Sequence, residues 1–200
     1  RDPMAEVHII GQIVGASGFD SSSLFCKWGI VTDDGRKEGT KWRHLEGIER
    51  GQTQTDIADP DEMSVWCHPI DVHYTTSGIN GWPKMHFEVW SSDKFGRSSL
   101  AGYGFCHVPT SPGIYDMDVS TWRPSTPSWT ETVTAYFLGD VPQLRNPDVV
   151  WRRDDRYRLR TVATGTVHLH LSVLVKDMLR HGVHSSPHGD RPITTTPLKP

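Results

Sequence analysis

Cysteine is scarce in this chain of 200 residues. It has three thiols, Cys26, Cys67 and Cys106, an odd number with no CxxC spacing. Such a set excludes a disulfide framework and points to a reducing compartment. A surplus of charge of one sign is also lacking. Lys and Arg number 21 against 24 Asp and Glu, the formal net charge is −3 and the pI is near 6.4. No basic field therefore exists to hold nucleic acid or anionic lipid by bulk electrostatics. Long apolar runs are missing too, none approaching the roughly 18 residues that span a bilayer. The first residues show no signal-peptide pattern. Arg1, Asp2 and Pro3 read as a cloning remnant, with the natural chain expected to begin at Met4.

What is present is a period of two. In "GTVHLHLSVLV", Val167, Leu169, Leu171, Val173 and Val175 share one face, and His168, His170 and Ser172 the other, the mark of a half-buried strand. "AEVHIIGQIVGA" alternates less cleanly, with Val7, Ile9 and Ile13 on one side and Ile10 and Val14 on the other, so this strand is expected to be buried on both faces. Further strands are expected at 23–30, 65–75, 83–90, 99–108 and 113–120, separated by Gly, Pro, Asn and Ser. A helix is expected over 127–139, where Ser128 and Glu131 have capping-box spacing, and a helical turn at "KDMLRHG". Seven or so short strands with one or two short helices predict an all-β fold, an antiparallel β-sandwich. The hydrophobic content of 36% suits one globular domain. The Pro-rich, polar end at 184–200 reads as a disordered tail.

Enzymatic and metal chemistry find little support in the residue pattern. His168 and His170 have a spacing that can chelate zinc, and His68 and His73 lie on another strand, but no Cys pair or HExxH completes four ligands. Solvent-facing polar residues on an alternating strand are the simpler reading. Cys106 and His107 are neighbours on a strand and so point to opposite faces, which excludes a thiolate–imidazolium pair. There is no GxSxG elbow. No catalytic residue, metal or cofactor is expected. Eight tryptophans are expected to be mostly core. Trp90 differs, because in "MHFEVW" it shares parity with His86 and Glu88, which makes it a candidate contact residue.

The strand-to-strand loop "VWSSDKFGRSSLAG" resembles the calcium-binding loop of C2-like domains, whose pattern is V-x-D-x-D, a Gly-containing turn, then D-x-x-G. On that pattern Ser91, Asp93 and Ser99 take the acidic positions and Gly102 the glycine. Two of three carboxylates are gone, and one Asp among hydroxyls is a poor calcium site. The wider set "MAEVHIIGQIVGASGF", "SLFCKWGI", "GQTQTD", "HPIDVHY", "GWPKMHFEVWSSDKFGRSSLAGYGFCHVPTSPG", "TWRP" and "DRYRLRTVATGTVHLHLSVL" resembles the B9 domain family over residues 4–183. That resemblance implies a C2-like sandwich without enzymatic activity. It implies a scaffold subunit that assembles with other B9-domain proteins in the Meckel syndrome complex, at the ciliary transition zone and basal body. There the family supports ciliogenesis, the barrier to ciliary membrane proteins and Hedgehog signalling. Transition-zone membrane proteins and tubulin are further partner classes that such a place allows; nucleic acid is not. An alternative reading is a calcium-independent phospholipid-binding module, with Lys94, Phe95 and Arg97 at the loop tip.

Overall fold

The computed structural model describes residues 4–32, 41–59, 62–125, 143–144, 147–151 and 160–178. Ten strands follow one another: β1 (Ala5–Ser17), β2 (Ser23–Val31), β3 (Trp42–Gly47), β4 (Arg50–Gln52), β5 (Asp56–Ile57), β6 (Ser64–Thr76), β7 (Lys84–Ser92), β8 (Ser98–His107), β9 (Gly113–Pro124) and β10 (Thr161–Lys176). They join into one antiparallel sheet in the order β3-β6-β1-β10-β9-β8-β7-β2-β4, with β5 also on β2. Between β8 and β9 the ladder narrows to the single pair Tyr103 and Trp122. There the sheet curls over, so that β3, β6, β1, β10 and β9 form a first leaf and β8, β7, β2, β4 and β5 a second. The expected sandwich is thus one sheet folded on itself.

Alternation explains how the leaves meet. Val7, Ile9 and Ile13 of β1, Ile70, Val72 and Tyr74 of β6, and Val167, Leu169, Leu171 and Val173 of β10 point inward. They share one continuous core with Cys26, Trp28 and Ile30 of β2 and Met85, Phe87 and Val89 of β7. Each such side chain contributes about 1.5–3 kcal/mol when fully withdrawn from water. The indole of Trp66 crosses the seam to donate to the Leu24 carbonyl at 3.2 Å. In contrast to the expectation for β1, this strand is buried on one face only. Ile10 is 37% exposed, because the outer face of the first leaf is open. Beyond Ile13 a register shift between Ile13 and Gly15 breaks the parity at Val14, so that Ala16 joins the core.

Strands β3, β4 and β5 have no counterpart among the sequence expectations. In β3 only Trp42 is buried, and β4 and β5 hold three and two residues, so none carries an alternating apolar signal. The helix expected at 127–139 and the tail at 184–200 lie outside the described residues, as does most of "KDMLRHG". Among the described residues the helical element is a 3-10 turn, Pro147–Val150.

That turn covers the outer face of the second leaf. Val150 joins Leu100 and Tyr103 in a smaller core, with Trp90, Phe105, Trp122, Leu144 and Trp151 around it. Beneath Trp151 lies His86, stacked at 4.1 Å between ring centroids, both its ring nitrogens buried without a hydrogen-bond partner. Burial, aided by the positive charge of Arg50 and opposed by Asp148, pushes its pKa down to about 4. The unfolded chain then binds a proton below pH ~6.5 that the folded chain refuses until about 4. Stability is therefore expected to fall by about 2–3 kcal/mol as pH drops through that window, and His86→Gln should flatten the slope in urea melts taken from pH 7 to 4. A second expectation concerns Gly11 on β1, where a Cβ would overlap the carbonyl oxygen of His170. Gly11→Ala should push β1 off β10 and lower stability by about 1–3 kcal/mol in the same assay.

Candidate functional site

Strand β7 ends at Ser92 and β8 begins at Ser98, leaving Asp93 to Arg97 as the turn. Asp93 organises it. Its Oδ1 accepts the backbone N–H groups of Phe95 and Arg97, each at 2.8 Å, and its Oδ2 accepts Arg97 Nε at 2.6 Å. Its backbone N–H donates to Arg97 O at 2.9 Å, and Gly96 supplies the positive φ that the reversal needs. The Arg97 backbone N–H, followed by the guanidinium and the Phe95 N–H, holds the Asp93 carboxyl below its usual range. Ser91 and Ser99 face each other across the ladder, with hydroxyls 2.8 Å apart.

This donor set does not fit a calcium ion. The hydroxyls of Ser91 and Ser99 satisfy one another, and both oxygens of the one carboxylate are already engaged by its own turn. Calcium takes six to eight oxygens, several of them charged. Among the described residues no group of three His, Cys, Asp or Glu gathers as a metal site. Asp33 and Asp34 lie outside those residues. Asp56 is committed elsewhere, accepting the Val65 N–H at 2.9 Å.

At the tip, Phe95 is 85% exposed, the Arg97 guanidinium lies 5.5 Å from its ring centroid, and Lys94 is exposed. Trp90 is placed differently. It is half-buried in the smaller core, stacked on Phe25, capped by the Lys27 ammonium at 4.7 Å and bonded through Nε1 to Glu88 at 3.2 Å. The structure thus groups Lys94, Phe95 and Arg97 at one loop end and packs Trp90 into the sheet beside it.

Three of the four histidines weighed as metal ligands pair with carboxylates instead, His168, His170 and His73, whose Nε2 lies 3.5 Å from Glu6, while His68 packs edge-on against Trp28. His168 pairs through Nδ1 with Asp118 at 2.6 Å and through Nε2 with the Ser17 hydroxyl at 2.8 Å, and His170 meets Asp116 at 2.6 Å. His8 meets Asp71 at 2.7 Å and stacks on His73. Cys106 is partly buried against the core, and withdrawal of its thiol from water pushes its pKa up to about 12, which leaves it unreactive. One feature had no sequence signal: a cavity of about 650 Å³ at the open edge, lined by Trp28, Ile48, Arg50, His68 and Pro69. Its wall comes from five strands, β1, β2, β3, β4 and β6, and the turn at Ile48.

The family profile described as "Ciliary basal body-associated, B9 protein" matches residues 7–174. The chain belongs to the B9-C2 family. It is 53% identical to B9 domain-containing protein 2 of Homo sapiens over 180 residues, 90% of this chain and 99% of that protein. It is 32% identical to the Drosophila melanogaster protein of the same name, over 90% and 98% of the two chains. B9 domain-containing protein 1 of Mus musculus is also 32% identical, covering 90% of this chain and 86% of that one. Among solved structures, a C2 domain of plant Extended Synaptotagmin 1 aligns with a TM-score of 0.40 and 11% identity, over 86% and 96% of the two chains. In this B9 domain the loop from Ser91 to Ser99 is a self-satisfied turn. Calcium added to about 1 mM, enough to load even weak extracellular-type sites, is therefore expected to leave the amide resonances of Ser91, Asp93 and Ser99 unmoved in a two-dimensional NMR titration. Saturable shifts in all three would mean that other acids complete a site.

Proposed function

We propose that this B9 protein is a non-enzymatic scaffold subunit that assembles with other B9-domain proteins of the Meckel syndrome complex, at the ciliary transition zone and basal body. The observation that carries the reading is the extent of the family match, which takes in nearly the full length of both this chain and the relatives named B9 domain-containing protein 2. A self-satisfied loop supports it, since a scaffold has no need of a calcium switch. Support for ciliogenesis, the ciliary membrane barrier and Hedgehog signalling belongs to this proposal as a consequence of assembly. Purified protein mixed with B9 domain-containing protein 1 is expected to form a stoichiometric complex of the same mass in calcium and in chelator, read by light scattering. A folded chain that forms no complex would sink the reading.

A second reading is favoured by one observation, the 85% exposure of Phe95 between Lys94 and Arg97. An exposed aromatic flanked by cations suits insertion among anionic headgroups. In vesicle sedimentation with phosphatidylserine, wild type should then pellet without calcium, and the triple variant Lys94→Ala, Phe95→Ala, Arg97→Ala should stay in the supernatant. Wild type that never pellets would remove this reading and leave the first intact.

A further inference from the structure

The two leaves are finished differently on their outer faces. The second leaf is covered from within the chain by the 3-10 turn and Trp151. On the first leaf, large apolar side chains stand in solvent: Ile114 of β9 is 70% exposed, Leu174 of β10 51%, and Ile10 of β1 37%.

Register brings these three together. Ser172 of β10 lies opposite Ile10 on one side and opposite Ile114 on the other. Leu174 is two residues along β10, on the same face, opposite His8. Ile10, Ile114 and Leu174 therefore surround Ser172 as one apolar centre across three adjacent strands.

Around it runs a rim of acids. Asp71 stands beside Ile10 on β6, and Asp116 and Asp118 follow Ile114 on the same face of β9. Their side chains are 71%, 82% and 66% exposed. Each is pinned by a histidine through Oδ1, Asp71 by His8, Asp116 by His170 and Asp118 by His168. Each keeps its second oxygen as a charged acceptor for a partner. On β1 Glu6 is offset by Lys176, which donates to both its oxygens at 3.3 and 3.2 Å, so the charged rim consists of Asp71, Asp116 and Asp118. A pinned side chain loses little rotamer freedom when a partner arrives, so the rim is organised before contact.

We infer that this face is a protein-docking surface whose partner presents an apolar centre ringed by Lys and Arg, the complement of acids around Ile10, Ile114 and Leu174. The acidic rim repels anionic headgroups and nucleic-acid phosphate. It also sets two copies of this chain against each other, acid to acid, so the occupant is a different, basic-faced protein. A small apolar core inside a polar rim is the anatomy of specific interfaces, and opposite charge at the rim speeds encounter and sets register.

The inference rests on the assembly reading, with B9 domain-containing protein 1 as the probe. Three proteins are compared with wild type for binding to it: Ile114→Asp with Leu174→Asp, the triple Asp71→Asn, Asp116→Asn, Asp118→Asn, and Phe95→Ala on the far loop. Asparagine keeps the oxygen that each histidine holds and removes only the charge, and the apolar positions are exposed, so unchanged melting temperatures will certify folding. Expected is a loss of about tenfold or more in affinity for each of the first two. Wild-type binding should weaken with added salt and the asparagine variant should lose most of that dependence, while Phe95→Ala binds like wild type. Wild-type binding that survives both sets of substitutions overturns the docking face and leaves the assembly reading standing. Absence of wild-type binding overturns both.

Discussion

Everything in this molecule depends on one buried contact surface, the meeting of the inward stripes of β1, β6 and β10 with those of β2 and β7. Val7, Ile9, Leu169, Leu171, Met85, Phe87 and Val89 are withdrawn from water because a sheet with one apolar face must find another to cover it. The sheet meets that demand by curling on itself at Tyr103 and Trp122, so a single ladder supplies both leaves. Once the stripes are inside, the parity of each strand dictates what is left outside. His8, His168 and His170 face outward because Val7, Val167 and Leu169 face inward.

The outer faces then diverge for a reason that lies in residue size and charge. On the second leaf Trp90, Tyr103 and Phe105 present broad rings, and Val150 and Trp151 fold over them to make a second core. That cover buries His86 deeply enough to keep it neutral. On the first leaf the outward residues alternate between branched aliphatics and His–Asp pairs, which leave too little contiguous apolar surface to recruit a cover from the described chain. Among the described residues the sheet thus has one outer face covered from within the chain and one without such a cover.

The loop between β7 and β8 is closed by its own bonds. Asp93 commits both oxygens to its turn, and the two serines bond to each other across the ladder. A turn closed in this way holds its shape without an ion. Its exposed feature is Phe95 rather than a ring of carboxylates.

The strands with strict alternation were legible from residues alone. "VHLHLSV" in β10 and "IYDMDV" in β9 announce both their conformation and their inward faces, because period two allows one solution when half the residues are apolar. The exchange of acids for serine in the loop was legible in the same way, since ligand chemistry is a property of side chains. Strands β3 to β5 were not legible, because edge strands with at most one buried residue carry no pattern. Nor was the burial of Trp90, whose polar-face parity marks it as exposed until Phe25, Lys27 and the 147–151 segment are placed around it. The sequence by itself determined the inward faces of the strictly alternating strands, because period two leaves them one arrangement. Only the tertiary structure decided which outer face stays open, because that depends on which strands become neighbours. Register alone sets Ile10, Ile114 and Leu174, more than a hundred residues apart at the extremes, around one serine.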